Sequence, residues 1–382
     1  MTAKHFFSLF GISSVALLMQ SCATNTVFEQ SASGENLSAL QKVTESDNRC
    51  SYPFGGDNGR NLFFSVYAQN TSNIYKKESV NDASMSQKTS GKNYNVAPSY
   101  CSVTDQLAFA SMPDGASAFD IYIINASQGS ALIQVTNTPN DNENYPCLSK
   151  DGKLVVYEKN SYFGRNAETE IWLRNLQTNV NTLLGKGRTP CFSPDGQTVA
   201  YVQYAADGNT TCLWLMNTDG TNKNQLTNAN HGSVWRPCFS PDGMKIVFQC
   251  TKSEKKDADL YMVDKSGNNM TQLTINKSFD GEPYWANDGY IYFTSDRGGR
   301  TNDYQIWCFK QQGAIGNSNS FTVHSSERQV TPSATKYHQV AKGETILEIA
   351  EKYGVKVRDI LEWNELKTMT LKPGMQLKVS AQ

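Results

Sequence analysis

Three observations predict a mainly-β chain, a six-bladed β-propeller followed by a small C-terminal βααβ module. First, a cassette recurs as YPCLSKDG, TPCFSPDG, RPCFSPDG and EPYWANDG, each copy leading into a strand-like run. Its aspartates are Asp151, Asp195, Asp242 and Asp288, with looser copies at Asp57 and Asp105, so successive spacings are 48, 46, 44, 47 and 46 residues. A period in the forties built of short strands marks propeller blades rather than a helical solenoid. Second, Val155 and Tyr157, Val199 and Tyr201, Ile246 and Phe248, and Ile291 and Phe293 alternate as half-buried strands require. Third, residues 337–379 switch to a strand, helix, helix, strand pattern.

Each cassette predicts the same parts. A short strand such as Pro237–Ser240 meets a Pro-Asp-Gly turn, and strands at Lys245–Gln249 and Asp259–Val263 follow, with a fourth ending in Gln-Leu-Thr. Asp-Gly suits the turn because Gly tolerates positive φ and Asp bonds backbone amides, so these aspartates are structural. The first blade shows no clear fourth strand within Ser79–Asn95. Both Leu40–Thr44 and Arg328–Thr331 mimic the fourth-strand ending, and the sequence leaves open which of them closes the ring. The repeat resembles the TolB-type propeller family, whose blades carry F-S-P-D-G and a later S-D-R-G-G-like segment, here Thr294–Gly299 leading to Gln305-Ile306-Trp307. The resemblance spans roughly Leu40–Thr331 and implies partner binding at the cell envelope.

In the C-terminal module, Thr345 is an N-cap candidate, while Ile346, Ile349, Ala350 and Tyr353 recur at helical spacing before Gly354. Val357, Ile360 and Leu361 mark a second helix ending near Asn364, and Pro373-Gly374 turns into Met375, Leu377 and Val379. YHQVAKGETILEIAEKYGV and the closing LKPGMQLKV resemble a lysin motif (LysM), a family that binds N-acetylglucosamine-containing glycan. The resemblance implies a peptidoglycan groove formed by Gly343, Glu344, Thr345 and Ile346 facing Leu366, Lys367, Met369, Thr370 and Leu371.

At the N-terminus, Lys4, the 14-residue apolar run Phe6–Met19 and Gln20-Ser21-Cys22 have the layout of an export signal, too short for an ordinary membrane span. The layout resembles bacterial lipoprotein signals, which implies cleavage before Cys22 and a lipid anchor there. The expected organisation is a signal at 1–21, a lipidated tether at 22–39, a propeller at 40–331, a linker at 332–336 and the module at 337–380. The five-residue linker predicts a module held close to the propeller. Some lipoproteins of this kind that reach the cell surface carry an acidic run just after the cysteine, whereas CATNTVFEQSASG has only Glu29 nearby, so the resemblance implies an outer-membrane anchor facing the periplasm.

With 35 basic and 36 acidic residues the chain has no electrostatic footprint for nucleic acid. It carries no G-x-S-x-G, H-E-x-x-H or P-loop, and its four histidines include only His231 in a blade-connecting loop. No cofactor, metal site or catalytic set is therefore expected, and the chain reads as non-enzymatic. The alternative is a propeller acting as a sensor that holds a small glycan or peptide in its channel, or as an enzyme with an unrecognised site.

Eight cysteines follow Cys22, and Cys101, Cys147, Cys191 and Cys238 each lie four residues before a blade aspartate. Equivalence predicts packing on successive innermost strands rather than disulfides or a thiolate ring. Large side chains stand just before each cassette, at Tyr52, Tyr145, Arg188, Trp235, Arg236 and Glu282. Placed on loops joining outer to inner strands, they would form a docking face for an envelope protein.

Overall fold

The computed structural model describes residues 37–55, 61–127, 132–138, 140–161, 169–252, 257–311, 337–341, 344–353, 360–361, 363–364, 366 and 371–379. The chain divides into two compact units, 1–318 and 319–382. Strand β1 (Ser38–Lys42) precedes two meanders, β2 (Arg49–Phe54), β3 (Leu62–Ala68), β4 (Thr71–Lys77), β5 (Ser86–Gln87), then β6 (Tyr94–Cys101), β7 (Gln106–Met112), β8 (Asp120–Asn125), β9 (Ile133–Gln134). Next come β10 (Asp141–Leu148), β11 (Leu154–Ser161), β12 (Thr169–Asn175), β13 (Asn181–Lys186), and β14 (Arg188–Phe192), β15 (Thr198–Tyr204), β16 (Thr211–Asn217), β17 (Asn224–Gln225). The unit ends with β18 (Ser233–Phe239), β19 (Lys245–Thr251), β20 (Asp259–Asp264), β21 (Thr271–Gln272), and β22 (Asp280–Trp285), β23 (Tyr290–Ser295), β24 (Gln305–Lys310). Three of these meanders are separate four-stranded sheets, whereas β2–β5 and β6–β9 share one sheet through a single parallel pair, Ser72 with Tyr94.

The N-terminal strand closes the ring. β1 pairs antiparallel with β24, Gln41 opposite Cys308 and Lys42 opposite Trp307, making it the outer strand of the last sheet. The competing segment at 328–331 lies outside the described residues. Each sheet is buried against its neighbours, as when Phe239, Ile246 and Phe248 pack on Val202, Leu213 and Leu215. Tyr292, Ile306 and Cys308 of the last sheet meet Cys50, Leu62 and Phe64 of the first, which completes the circle.

Two repeated devices explain the cassette. At one end of the innermost strands, Ser149, Ser193 and Ser240 donate to Asp151, Asp195 and Asp242 at 2.7, 2.5 and 2.5 Å. The same carboxylates accept from the backbone of Lys153, Gln197 and Met244, fixing the turn. At the outer edge the fourth strand is only two residues long in most meanders, so a third-strand N–H would go unpaired. A threonine hydroxyl accepts it: Thr136 from Ile121 N–H, Thr227 from Leu213 N–H and Thr274 from Leu260 N–H, at 2.8 to 2.9 Å. Thr44 does the same for Ile306, and Thr89 for Ile74. The first meander thus has its fourth strand, β5, closed by Gln87-Lys88-Thr89, where the sequence showed none.

In the second unit, β25 (Tyr337–Gln339) pairs antiparallel with β26 (Gln376–Lys378), and helix α1 (Ile346–Tyr353) lies between them in sequence. Thr345 and Glu348 form a reciprocal cap: the Thr hydroxyl accepts from Glu348 N–H at 3.3 Å and the carboxylate accepts from Thr345 N–H at 2.8 Å. Val340, Ile349, Ala350, Ile360, Leu377 and Val379 form its core. Asn364 donates to the carbonyls of Ile360 and Lys378 and accepts from Lys378 N–H at 2.7 Å, stapling the second helical segment to the last strand.

Candidate functional site

Each innermost strand carries one register shift, and each shift falls on a residue followed by proline. Tyr52, Ala97, Tyr145, Thr189, Arg236 and Glu282 all have positive φ, between 45 and 58°. Their prolines, Pro53, Pro98, Pro146, Pro190, Pro237 and Pro283, cannot donate to the ladder, so the strand bulges there. Non-glycine residues in this region store of order 1–3 kcal/mol each and persist only when neighbours hold them. The neighbours do so by accepting the diverted N–H: Glu282 for Tyr52 at 2.9 Å, Ser65 for Ala97 at 3.2 Å, Glu158 for Thr189 at 3.0 Å. Thr189 and Gln249 serve Arg236 and Glu282 in the same way, each at 3.4 Å.

These bulges ring a central channel. Its free space is about 90 Å³, lined by the six bulge residues and their prolines with Phe54, Cys147, Cys191, Cys238 and Tyr284. That is room for a few waters, each with a liquid share of about 30 Å³. Tyr52, Tyr145, Arg236 and Glu282 line this same space and form its rim.

At the rim, the Arg236 guanidinium lies between two tyrosines, 4.4 Å from the Tyr52 ring centre and 3.7 Å from that of Tyr145. Its Nη2 is buried without a hydrogen-bond partner. Arg188 bonds Glu158 at 3.1 and 3.2 Å and Tyr204 at 3.2 Å, and lies 5.2 Å from the Trp235 ring. Beside Glu282 a hollow of about 280 Å³ is walled by Arg49, Tyr67, Phe279 and Tyr304. Burial pushes the Glu282 carboxyl above its usual range, outweighing the attraction of Arg236 and the hydrogen bonds from Thr294 and Tyr52.

Tyr52, Tyr145, Arg236 and Glu282 are therefore brought together, with Arg188 and Trp235 beside them. They stand inside the innermost strands, not on the connecting loops expected from sequence. The reason is the bulge, which lets a strand residue turn its side chain into the rim. Ala97, Thr189, Tyr67, Phe279, Tyr304 and Arg49 were not singled out beforehand; the recurring residue-plus-proline pair was the signal for the first two.

Other sequence candidates resolve into structure. His231 Nδ1 accepts from Asn228 N–H at 3.1 Å and closes a short 3-10 turn. Cys147, Cys191 and Cys238 follow the bulge prolines, and Cys147 and Cys238 accept from Phe192 and Trp285 N–H across to the next meander, both at 3.4 Å. Cys101 is not their equivalent: Ser99 holds that position, accepting from Leu148 N–H at 3.0 Å, because the following turn is two residues longer. The neighbouring Cys191 thiol, together with burial, holds Cys147 well above its usual value. Among the described residues no group of three His, Cys, Asp or Glu could hold a metal.

Of the expected glycan groove, Gly343, Lys367, Met369 and Thr370 lie outside the described residues, as does Cys22. The Ile346 side chain is only 3 % exposed and belongs to the core, with Leu366 and Leu371 packed against it. Thr345 caps the helix, and Glu344 accepts from Ala341 N–H while bonded to His338, each at 2.8 Å.

Comparison with known proteins fits this geometry. The profile of the TolB beta propeller domain matches residues 33–231 and 187–361. Solved structures similar to this chain include a gluconolactonase from Xanthomonas campestris, 11% identical, TM-score 0.54, covering 71% of this chain and 89% of that one. A TolB from Agrobacterium tumefaciens is 17% identical with TM-score 0.52, covering 70% and 92%. An oligogalacturonate lyase in complex with manganese is 17% identical with TM-score 0.51, covering 72% and 95%. Since these neighbours include enzymes, the shared fold by itself does not decide for or against catalysis. A membrane-bound lytic murein transglycosylase D of Escherichia coli is 37% identical over 51 residues, 13% of this chain. The chain spans about a tenth of that relative, 11% of its length.

Proposed function

This chain belongs to the TolB beta propeller domain family, and from that premise we propose a non-enzymatic cell-envelope protein whose propeller docks a protein partner at the rim of its channel. We read its meanders as six blades. The observation that carries the reading is the rim itself: Tyr52, Tyr145, Trp235, Arg188 and Arg236 form one aromatic and arginine cluster over a channel of about 90 Å³. Tyr, Trp and Arg dominate binding hot spots because they combine large contact area with a polar group. The buried, unpartnered Arg236 Nη2 offers a donor that a partner carbonyl or carboxylate would satisfy.

The second unit supports a lysin-motif reading, with peptidoglycan as its ligand. Its strand, capped helix, second helical segment and strand hold the Glu344–Ile346 loop in place. The short likeness to a murein transglycosylase points the same way. A lipid at Cys22 would anchor the protein to the outer membrane, facing the periplasm, and raise the effective concentration of a weak glycan contact.

Trp235→Ala with Arg236→Ala, scored by co-purification from solubilised envelopes, tests the rim. Recovery is expected to fall at least about thirtyfold, as for hot spots of 2 kcal/mol or more. Unchanged recovery of partners by a folded variant would remove the docking face. Sedimentation with purified sacculi tests the second unit, and a chain ending at Thr331 is expected to stay in the supernatant.

A further inference from the structure

We propose that the cleft between the β6–β9 and β10–β13 meanders binds a neutral saccharide. This site is separate from the channel rim, and it stands or falls independently of partner docking and of the C-terminal unit. The cleft encloses about 450 Å³ and is walled by Glu143, Tyr157, Lys159, Trp172, Thr138 and Arg174 among others. Small-molecule sites typically occupy roughly 300–1,000 Å³ and combine aromatic walls with a few convergent polar groups.

Glu143 is the telling group. Its side chain is 1 % exposed; Oε1 accepts from the Thr138 hydroxyl, and Oε2 has no hydrogen-bond partner. A buried carboxyl oxygen without a partner is costly and asks for an explanation. A ligand hydroxyl in the cleft supplies one.

Charge then narrows the ligand. The Lys159 ammonium is 2.8 Å from Asp141 and 4.0 Å from Glu143 Oε1, so this cation is already matched. Arg174 is held by Asn181 and Asn179, both at 3.1 Å. Burial pushes the Glu143 carboxyl up to about 8, which leaves it mostly neutral near pH 7. The Asp120 carboxylate beside Glu143 accepts from Gln134, Thr136 and Thr138, so an anionic ligand meets no unmatched cation here and a cationic one only an acid already engaged by three donors. Neutral hydroxyls, which both donate and accept, fit a carboxyl, an ammonium and a threonine hydroxyl together. The half-buried Trp172, with the Lys159 ammonium 5.5 Å from its ring centre and Tyr157 buried in the core behind it, supplies the apolar surface for a sugar ring.

The test is calorimetry and saturation-transfer NMR on the full chain with glucose and mannose as neutral probes, and glucuronate and glucosamine as charged counterparts. Neutral probes are expected to bind in the millimolar range and the charged ones more weakly. Glu143→Gln should weaken binding about fivefold, the loss of roughly one hydrogen bond. Trp172→Leu should abolish it, and Trp172→Phe should restore part of it, which guards against loss of fold in the leucine variant. No saturation transfer from any probe, or tighter binding of a charged sugar, would overturn the proposal. So would binding that survives both Glu143→Gln and Trp172→Leu, since the sugar would then sit elsewhere on the chain.

Discussion

The two ends of the innermost strands use the repeat in opposite ways. At the turn end, Ser193-Pro194-Asp195-Gly196 and Ser240-Pro241-Asp242-Gly243 keep both residue identity and hydrogen bonds from copy to copy. At the bulge end only the conformation repeats, while the side chain varies through Tyr52, Ala97, Tyr145, Thr189, Arg236 and Glu282. Where the chain needs a turn, chemistry is fixed by the backbone it must satisfy. Where the backbone is satisfied by a neighbouring meander, the side chain is free to vary. Variation at a conformationally fixed position is therefore what the proposed docking face rests on.

The rule has a limit, and the largest expected effect marks it. Asp280 is not repeated, yet it is 0 % exposed and bonded to the Arg297 guanidinium and, at 2.6 Å, to the Ser295 hydroxyl. It is structural because it is buried as part of an ion pair, not because it recurs. Asp280→Ala should cost about 3–5 kcal/mol, the usual consequence of breaking a buried pair from one side. Urea unfolding measures it. A loss under about 1 kcal/mol would mean that non-repeated charge at this end is dispensable, and the distinction between the ends would need redrawing.

A smaller effect sharpens the comparison at the sheet edge. Thr274 is buried and its hydroxyl accepts the Leu260 N–H at 2.9 Å, so Thr274→Val keeps shape and orphans a buried donor. About 1–3 kcal/mol should be lost. Thr274→Ser should recover much of it, because it returns the oxygen without the methyl.

Much of this architecture was legible in the amino-acid order. The Asp-Gly turns could be read because both residues of each turn serve local bonds, and the Gln-Leu-Thr endings because a two-residue strand needs its threonine. Gln87-Lys88-Thr89 was the same signal, obscured by the long segment before it and by lysine in place of leucine. Cys101 was misplaced by counting back from Asp105; counting from Pro98 gives Ser99. The rim was legible only as separate large residues. Nothing local says that the strand reverses its φ at Tyr145, since at the equivalent Tyr52, Ala97, Thr189, Arg236 and Glu282 the released N–H is satisfied by residues of other meanders, as Glu158 does for Thr189. Nor does local sequence place Arg236 between Tyr52 and Tyr145, because ring closure creates that contact.

A response to pH separates the two ends by its sign. At the turn end, the Ser149 and Ser193 hydroxyls, with backbone amides, hold Asp151 and Asp195 below the ordinary aspartate value of 3.8. A depressed carboxyl stabilises the fold above that value, and the contribution is lost as pH falls through the folded-state pKa. Upstream of and at the bulges, burial raises Glu143 to about 8 from 4.5 and raises Glu282 as well. A raised carboxyl does the reverse: its contribution is complete below 4.5 and is lost as pH rises, for Glu143 through about 8. Urea midpoints should therefore decline from pH 5 to 8.5, and Glu143→Gln and Glu282→Gln should each flatten that decline. Asp195→Asn should leave it unchanged and flatten only the acid limb below 3.8. If Asp195→Asn and Glu282→Gln altered the profile in the same window, the two ends would share one electrostatic role, and variability at the bulges would no longer single out the face that meets a partner.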